Sequence, residues 1–119
     1  MITGAHAVMF TTDAEALRGF LRDKLGFRSV DAGGGWLIFA LPPAELAAHP
    51  ADQGGRHELH LMCDDVHATV KELLAKGVEF TGPVRDERFG LVTAMRVPGG
   101  GELGLYEARH PTPLVVGQG

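Results

Sequence analysis

The chain has one cysteine, one serine and no run of basic residues, and each scarcity removes a class of function. A lone Cys63 leaves no partner for an internal disulfide and fits a reducing cytoplasm. Ser29, the single serine, stands outside any nucleophile motif, so serine hydrolysis is not expected. A net charge of −4 without a Lys/Arg cluster gives no electrostatic footprint for nucleic acid. The longest apolar stretch falls well short of the roughly 20 residues of a membrane span. Met1-Ile2-Thr3-Gly4 lacks the cationic start and apolar run of a signal peptide. The expectation is a cytoplasmic protein that contacts neither membrane nor nucleic acid.

What remains is a chain of 119 residues, 45% hydrophobic and 22% charged, enough for one globular domain over residues 1–119. Residues 5–11 alternate as a strand, with His6, Val8 and Phe10 against Ala7, Met9 and Thr11. Thr12-Asp13-Ala14-Glu15 has the form of a capping box, Leu17, Phe20, Leu21 and Leu25 follow at helical spacing, and Gly26 closes the helix. Residues 27–31 and 36–41 read as strands about Gly33-Gly34-Gly35. Pro42-Pro43 interrupts, residues 44–49 resume as a strand or a helical turn, and residues 51–56 form the one linker. A strand over residues 57–63 leads to a helix capped by Asp64 or Asp65. Its stripe is Val66, Val70, Leu73 and Leu74, and Gly77 ends it. Residues 79–81 are a short strand, and residues 91–97 and 102–107 pair about a Pro98-Gly99-Gly100-Gly101 turn.

The two halves, residues 1–50 and 57–111, therefore repeat one order: strand, capped helix closed by glycine, then further strands. His6 stands seven places before Asp13, as Glu58 stands seven before Asp65. Pairing Gly26 with Gly77 would instead set His6 opposite His57, and the helix start is the preferred anchor. The fold class is α+β, two βαβββ modules in tandem, with a curled mixed sheet forming an open cup.

The central strand carries the chemistry. His57-Glu58-Leu59-His60-Leu61-Met62-Cys63 sends Leu59, Leu61 and Cys63 to one face and Glu58, His60 and Met62 to the other. The first set suits a core, where Cys63 is a buried, inert thiol. The second puts a carboxylate beside an imidazole where a cup would use them. The other candidates are His6, Glu45 and Glu107, and Glu107 shares its face with Leu103 and Leu105. Imidazole with carboxylates on separate strands suits a divalent ion, and two His with one carboxylate suits ferrous iron. His57 and His60 point to opposite faces and cannot share an ion. His49 and His110, each before a proline, fit the rim of a cleft, and strand-ending turns account for them equally well.

The strand histidine, the helix ending in Leu25-Gly26-Phe27, and Asp65-Val66 followed at the end by Tyr106-Glu107 resemble the vicinal oxygen chelate superfamily. That group holds lactoylglutathione lyase, bleomycin-resistance proteins and extradiol dioxygenases, and the likeness runs from Gly4 to Pro111. It implies metal ligands from the first and last strands of each module, here His6, Glu45, Glu58 and Glu107. Glu58 departs from the family pattern, which has histidine there, and His60 offers an alternative triad with His6 and Glu107. The ion would be Fe²⁺, Mn²⁺, Ni²⁺ or Zn²⁺, and Glu107 would shuttle a proton as the catalytic residue. Trp36, Ile38, Phe39 and Phe89 would line the cup around a small-molecule ligand. The resemblance also implies a homodimer. It leaves two functions open: a metal-dependent lyase, isomerase or dioxygenase, or a metal-free protein that sequesters a hydrophobic or antibiotic-like molecule.

Overall fold

The structure, a computed structural model, describes residues 6–114. Two helices and six strands follow in the order α1 (Ala14–Asp23), β1 (Ser29–Asp31), β2 (Leu37–Phe39), β3 (His60–Met62), α2 (Val66–Ala75), β4 (Arg85–Glu87), β5 (Gly90–Arg96) and β6 (Glu102–Ala108). The architecture is α+β with two sheets: a β1–β2 hairpin and a four-stranded sheet ordered β3-β6-β5-β4. In the larger sheet β3 runs parallel to β6, and the other neighbours are antiparallel.

Both helices start on an aspartate. Asp13 accepts from Ala16 N at 3.0 Å and Asp65 from Ala68 N at 3.1 Å, each satisfying an orphan donor of the first turn. The N-cap falls one residue after Thr12, and Ala16 then stands where a capping box needs a carboxylate. Thr12 and Thr11 instead give their hydroxyls to the carbonyls of Gly99 and Pro98, at 3.0 and 2.9 Å. The start of α1 is thereby fastened to the β5–β6 turn, where a side chain at Gly99 would collide with Thr11. Gly26 and Gly77 end the helices in left-handed backbone. The helix ends also clasp one another: Lys24 Nζ donates to the Lys76 carbonyl at 2.6 Å, and Lys76 Nζ to that of Lys24 at 3.5 Å.

One core lies between the two helices and one face of the four-stranded sheet. Leu17 and Phe20 of α1 and Val66 and Leu73 of α2 meet Met95, Val97, Leu103 and Leu105. Burial of side chains of this size is worth roughly 1.5–3 kcal/mol each. Leu59, Leu61 and Cys63 pack against this core, as the alternation of the central strand requires. Leu74 falls off the stripe of α2 and is exposed.

Several local expectations differ from what forms. Residues 6–11 and 44–49 lie outside any strand or helix, and position 5 lies outside the described residues. The stretch at residues 79–81 makes only a bridge from Phe80 to Met95. β4, with the sequence Arg85-Asp86-Glu87, was not expected. Its side chains carry no apolar alternation, and it exists because its backbone pairs with β5.

Candidate functional site

The register of the large sheet decides which side chains share the face turned away from the helices. His60 lies beside Gly104 and Met62 beside Tyr106, while Leu103 and Leu105 are in the core. The open face therefore carries His60, Met62, Gly104 and Tyr106. His60 packs edge-on to Tyr106, with ring centroids 5.9 Å apart and planes at 89°. Phe89, from the β4–β5 turn, does the same at 6.3 Å and 72°. Together these rings form an aromatic strip with a sulfur at its side.

Two polar clusters flank the strip. At one end the Tyr106 hydroxyl donates to Glu45 Oε1 at 2.7 Å, and the Thr112 hydroxyl to Glu45 Oε2 at 2.5 Å. His110 Nε2 lies 3.2 Å from the Tyr106 oxygen and 3.3 Å from Glu45 Oε1. The two hydroxyl bonds, that of Thr112 foremost, hold the Glu45 carboxyl below its ordinary range against the opposing effect of burial. Burial and the Glu45 carboxylate push the Tyr106 phenol up to about 12. At the other end Glu58 takes Arg56 at 3.2 Å and His60 Nε2 at 3.3 Å.

The expected ligands do not assemble. The Glu107 side chain follows Leu103 and Leu105 onto the helix side of the sheet. There Oε1 accepts from Val66 N at 3.0 Å, at the first turn of α2, so the carboxylate serves as a second cap. His6 is exposed on a segment without regular structure. Among the described residues no three His, Cys, Asp or Glu side chains are placed to hold a metal ion. The quartet of His6, Glu45, Glu58 and Glu107 is thus dispersed, and so is the triad of His6, His60 and Glu107. What remains is two pairs, Glu45 with His110 and Glu58 with His60. Each pair is already satisfied by protein donors and falls short of three ligands with open positions. These residues do not fit a divalent metal.

Of the expected lining residues, Phe89 stands on the strip. Ile38 and Phe39 are half-buried on β2, in the hairpin, and Trp36 precedes them with the Arg18 guanidinium 4.9 Å above its ring. Tyr106, Thr112 and Gly104 were not singled out as site residues, and His110 was weighed only as a cleft-rim position against a turn. One signal was present: if Leu103 and Leu105 face the core, alternation sends Glu107 there too and leaves Tyr106 on the open face. The contacts of Glu45 with Tyr106 and Thr112 join residues far apart in the chain and leave no local trace.

Comparison with known proteins adds the following. Residues 4–103 match the family model of the glyoxalase/bleomycin resistance protein/dioxygenase superfamily. No curated protein matches the sequence. Among solved structures, the antibiotic-binding protein TnmS3 from Streptomyces sp. CB03234 is 25% identical, with 91% of this chain and 99% of that one covered and a TM-score of 0.61. A glyoxalase/bleomycin resistance protein from the same organism is 26% identical over 81% of this chain and 92% of its own, with a TM-score of 0.55. Lactoylglutathione lyase from Agrobacterium tumefaciens, 16% identical over 88% of this chain and 92% of that one, shares the fold, with a TM-score of 0.63.

Proposed function

The chain belongs to the glyoxalase/bleomycin resistance protein/dioxygenase superfamily, and from that membership we propose that it is a binding protein that holds a small, largely apolar molecule against the open sheet face without a metal ion. The observation that carries this reading is the aromatic strip of His60, Tyr106 and Phe89, combined with a Glu107 carboxylate that is spent on α2. Apolar and aromatic walls with a few fixed polar groups are what a small-molecule site requires. The likeness to an antibiotic-binding protein at 25% identity supports the same class. A lyase, isomerase or dioxygenase working through a chelated ion needs ligands that these residues do not bring together.

We place the protein in the cytoplasm as a homodimer. A half-buried, unpaired Cys63 suits a reducing compartment, and no helix among the described residues is long and apolar enough to cross a membrane. For the dimer, the support is apolar surface with no cover: Phe10 and Leu46 are 92% and 96% exposed, and Val30 68%.

The test is titration of chelator-treated protein with a panel comprising daunorubicin, bleomycin and a phenoxazine dye, followed by calorimetry. Saturable binding that added Mn²⁺, Ni²⁺, Fe²⁺ or Zn²⁺ leaves unchanged is expected. Binding that appears only when metal is returned, or none across the panel, overturns the reading. Sedimentation at micromolar concentration checks the dimer.

A further inference from the structure

Gly104 sits inside β6, where glycine weakens a strand relative to alanine because it loses more backbone freedom and packs no side chain. Its backbone does not call for glycine, because it is absent from the left-handed positions that Gly99, Gly100 and Gly101 occupy beside it. A side chain at Gly104 would instead meet the His60 ring, with Nδ1, Cγ and Cε1 all inside van der Waals contact. The other crowded glycines of the sheet and its turn differ in kind. At Gly90 the obstruction is the backbone of Glu107, and at Gly99 it is Thr11 beside the cap of α1. Among the described glycines, Gly104 alone has its missing side chain's volume filled by a ring of the open face.

We infer that Gly104 is a positioning residue for ligand recognition: by having no side chain it lets the His60 ring lie across β6, edge-on to Tyr106, and so makes an aromatic corner in which a flat aromatic molecule stacks on one ring and meets the edge of the other. This rests on the binding function proposed above and adds to it the ligand class and the residue that sets it. With the imidazole down, His60 and Phe89 both stand edge-on to Tyr106, and Met62 lies beside them. With the imidazole raised by a Cβ beneath it, the ring stands up into the space where a flat molecule would rest. Glu58 lies 3.3 Å from His60 Nε2, at the ring's outer edge.

The experiment uses the full chain after chelator treatment, with daunorubicin as the flat probe and bleomycin as the comparison. In the ligand-free protein, Gly104→Ala is expected to shift the His60 ring resonances in NMR about as far as Tyr106→Leu does. Daunorubicin affinity should fall roughly tenfold in Gly104→Ala and in His60→Ala alike, the scale of one lost aromatic contact. Adding Gly104→Ala to His60→Ala should cost nothing more, because the ring it displaces is gone. That double variant is a readout that a purely structural role would not give. Unmoved His60 resonances, wild-type affinity in Gly104→Ala, or a full added loss in the double variant each overturn the proposal. Daunorubicin failing to bind while bleomycin binds overturns the ligand class alone, and failure of both removes the binding function beneath it. Should Gly104→Ala not fold, His60→Ala, which only removes atoms, decides: unchanged daunorubicin affinity overturns the inference.

Discussion

The two halves of this chain carry the same pattern of capped helix and alternating strands, yet among the described residues they contribute unequally to the sheets. β3, α2, β4, β5 and β6 supply strand, helix and three strands, and the sheet they form buries Met95, Leu103 and Leu105 almost completely. The first half supplies α1, which joins the same core, and a hairpin of two three-residue strands that, among the described residues, pairs with no strand of the larger sheet. In this half Phe10, Val30, Trp36 and Leu46 are exposed. The lesson is that a repeated sequence pattern does not fix a repeated structure. A strand also needs a neighbour to satisfy its backbone, and the neighbour is not part of the pattern.

The sharpest way to break the comparison is to damage the same chemistry in each half. Met95→Ala removes a fully buried side chain beneath both helices and should destabilise the fold by about 2–5 kcal/mol, measured by urea denaturation. Phe10→Ala removes a side chain that touches water and should cost the isolated subunit almost nothing. If the uncovered face meets a second copy, Leu46→Asp should convert dimer to monomer in sedimentation while the far-ultraviolet circular dichroism is kept. Equal destabilisation by Met95→Ala and Phe10→Ala would erase the distinction between the halves.

A smaller effect separates the two faces of β6. Glu107→Ala removes the carboxylate that receives Val66 N and should cost about 1 kcal/mol of stability, close to the loss from Asp65→Ala at the same helix end. Ligand affinity in the presence of chelator should not move. A large loss of ligand binding with stability intact would return Glu107 to the site.

How far these differences could be anticipated depends on the reach of the signal. α2 was legible because Asp65 and Gly77 mark its ends within the span of the helix itself, and β5–β6 because Pro98 and three glycines announce the turn. The faces of β3 followed from alternation alone. β4 was invisible, since a strand made of Arg85, Asp86 and Glu87 owes its existence to a partner. At Glu107 alternation gave a face shared with Leu103 and Leu105, and the family likeness took that residue into the cup. The shared face is the one turned to the core, and Glu107 goes with it to Val66 N. At the other end of the chain, the equivalence of His6 and Glu58 rested on the helix starts. The helices keep one offset from N-cap (Asp13, Asp65) to C-cap (Lys24, Lys76), and the one-residue drift enters only at Gly26 and Gly77.

The finest contrast lies within the open face, between the satisfied cluster around Glu45 and the looser one around Glu58. Tyr106 is the only tyrosine, so the absorbance of tyrosinate reports it alone. Its folded value of about 12 stands above the ordinary value of 10.0, first because burial disfavours the phenolate and then because the Glu45 carboxylate accepts a hydrogen bond from the phenol and repels the negative charge of the phenolate. A raised acid favours folding while it is protonated, so this contribution is fully present below pH 10 and is lost as pH rises toward 12. Glu45 is shifted the other way: its contribution is present above its ordinary value of 4.5 and is lost as pH falls through the lowered value. Stability from this cluster should therefore be flat across neutral pH and fall at both extremes. Glu45→Gln removes the charge but not the burial, so the tyrosinate midpoint should drop part of the way toward 10 and no further. Tyr106→Phe should abolish the alkaline fall, whereas Glu58→Gln, at the other end of the strip, should leave both the midpoint and the fall where they are.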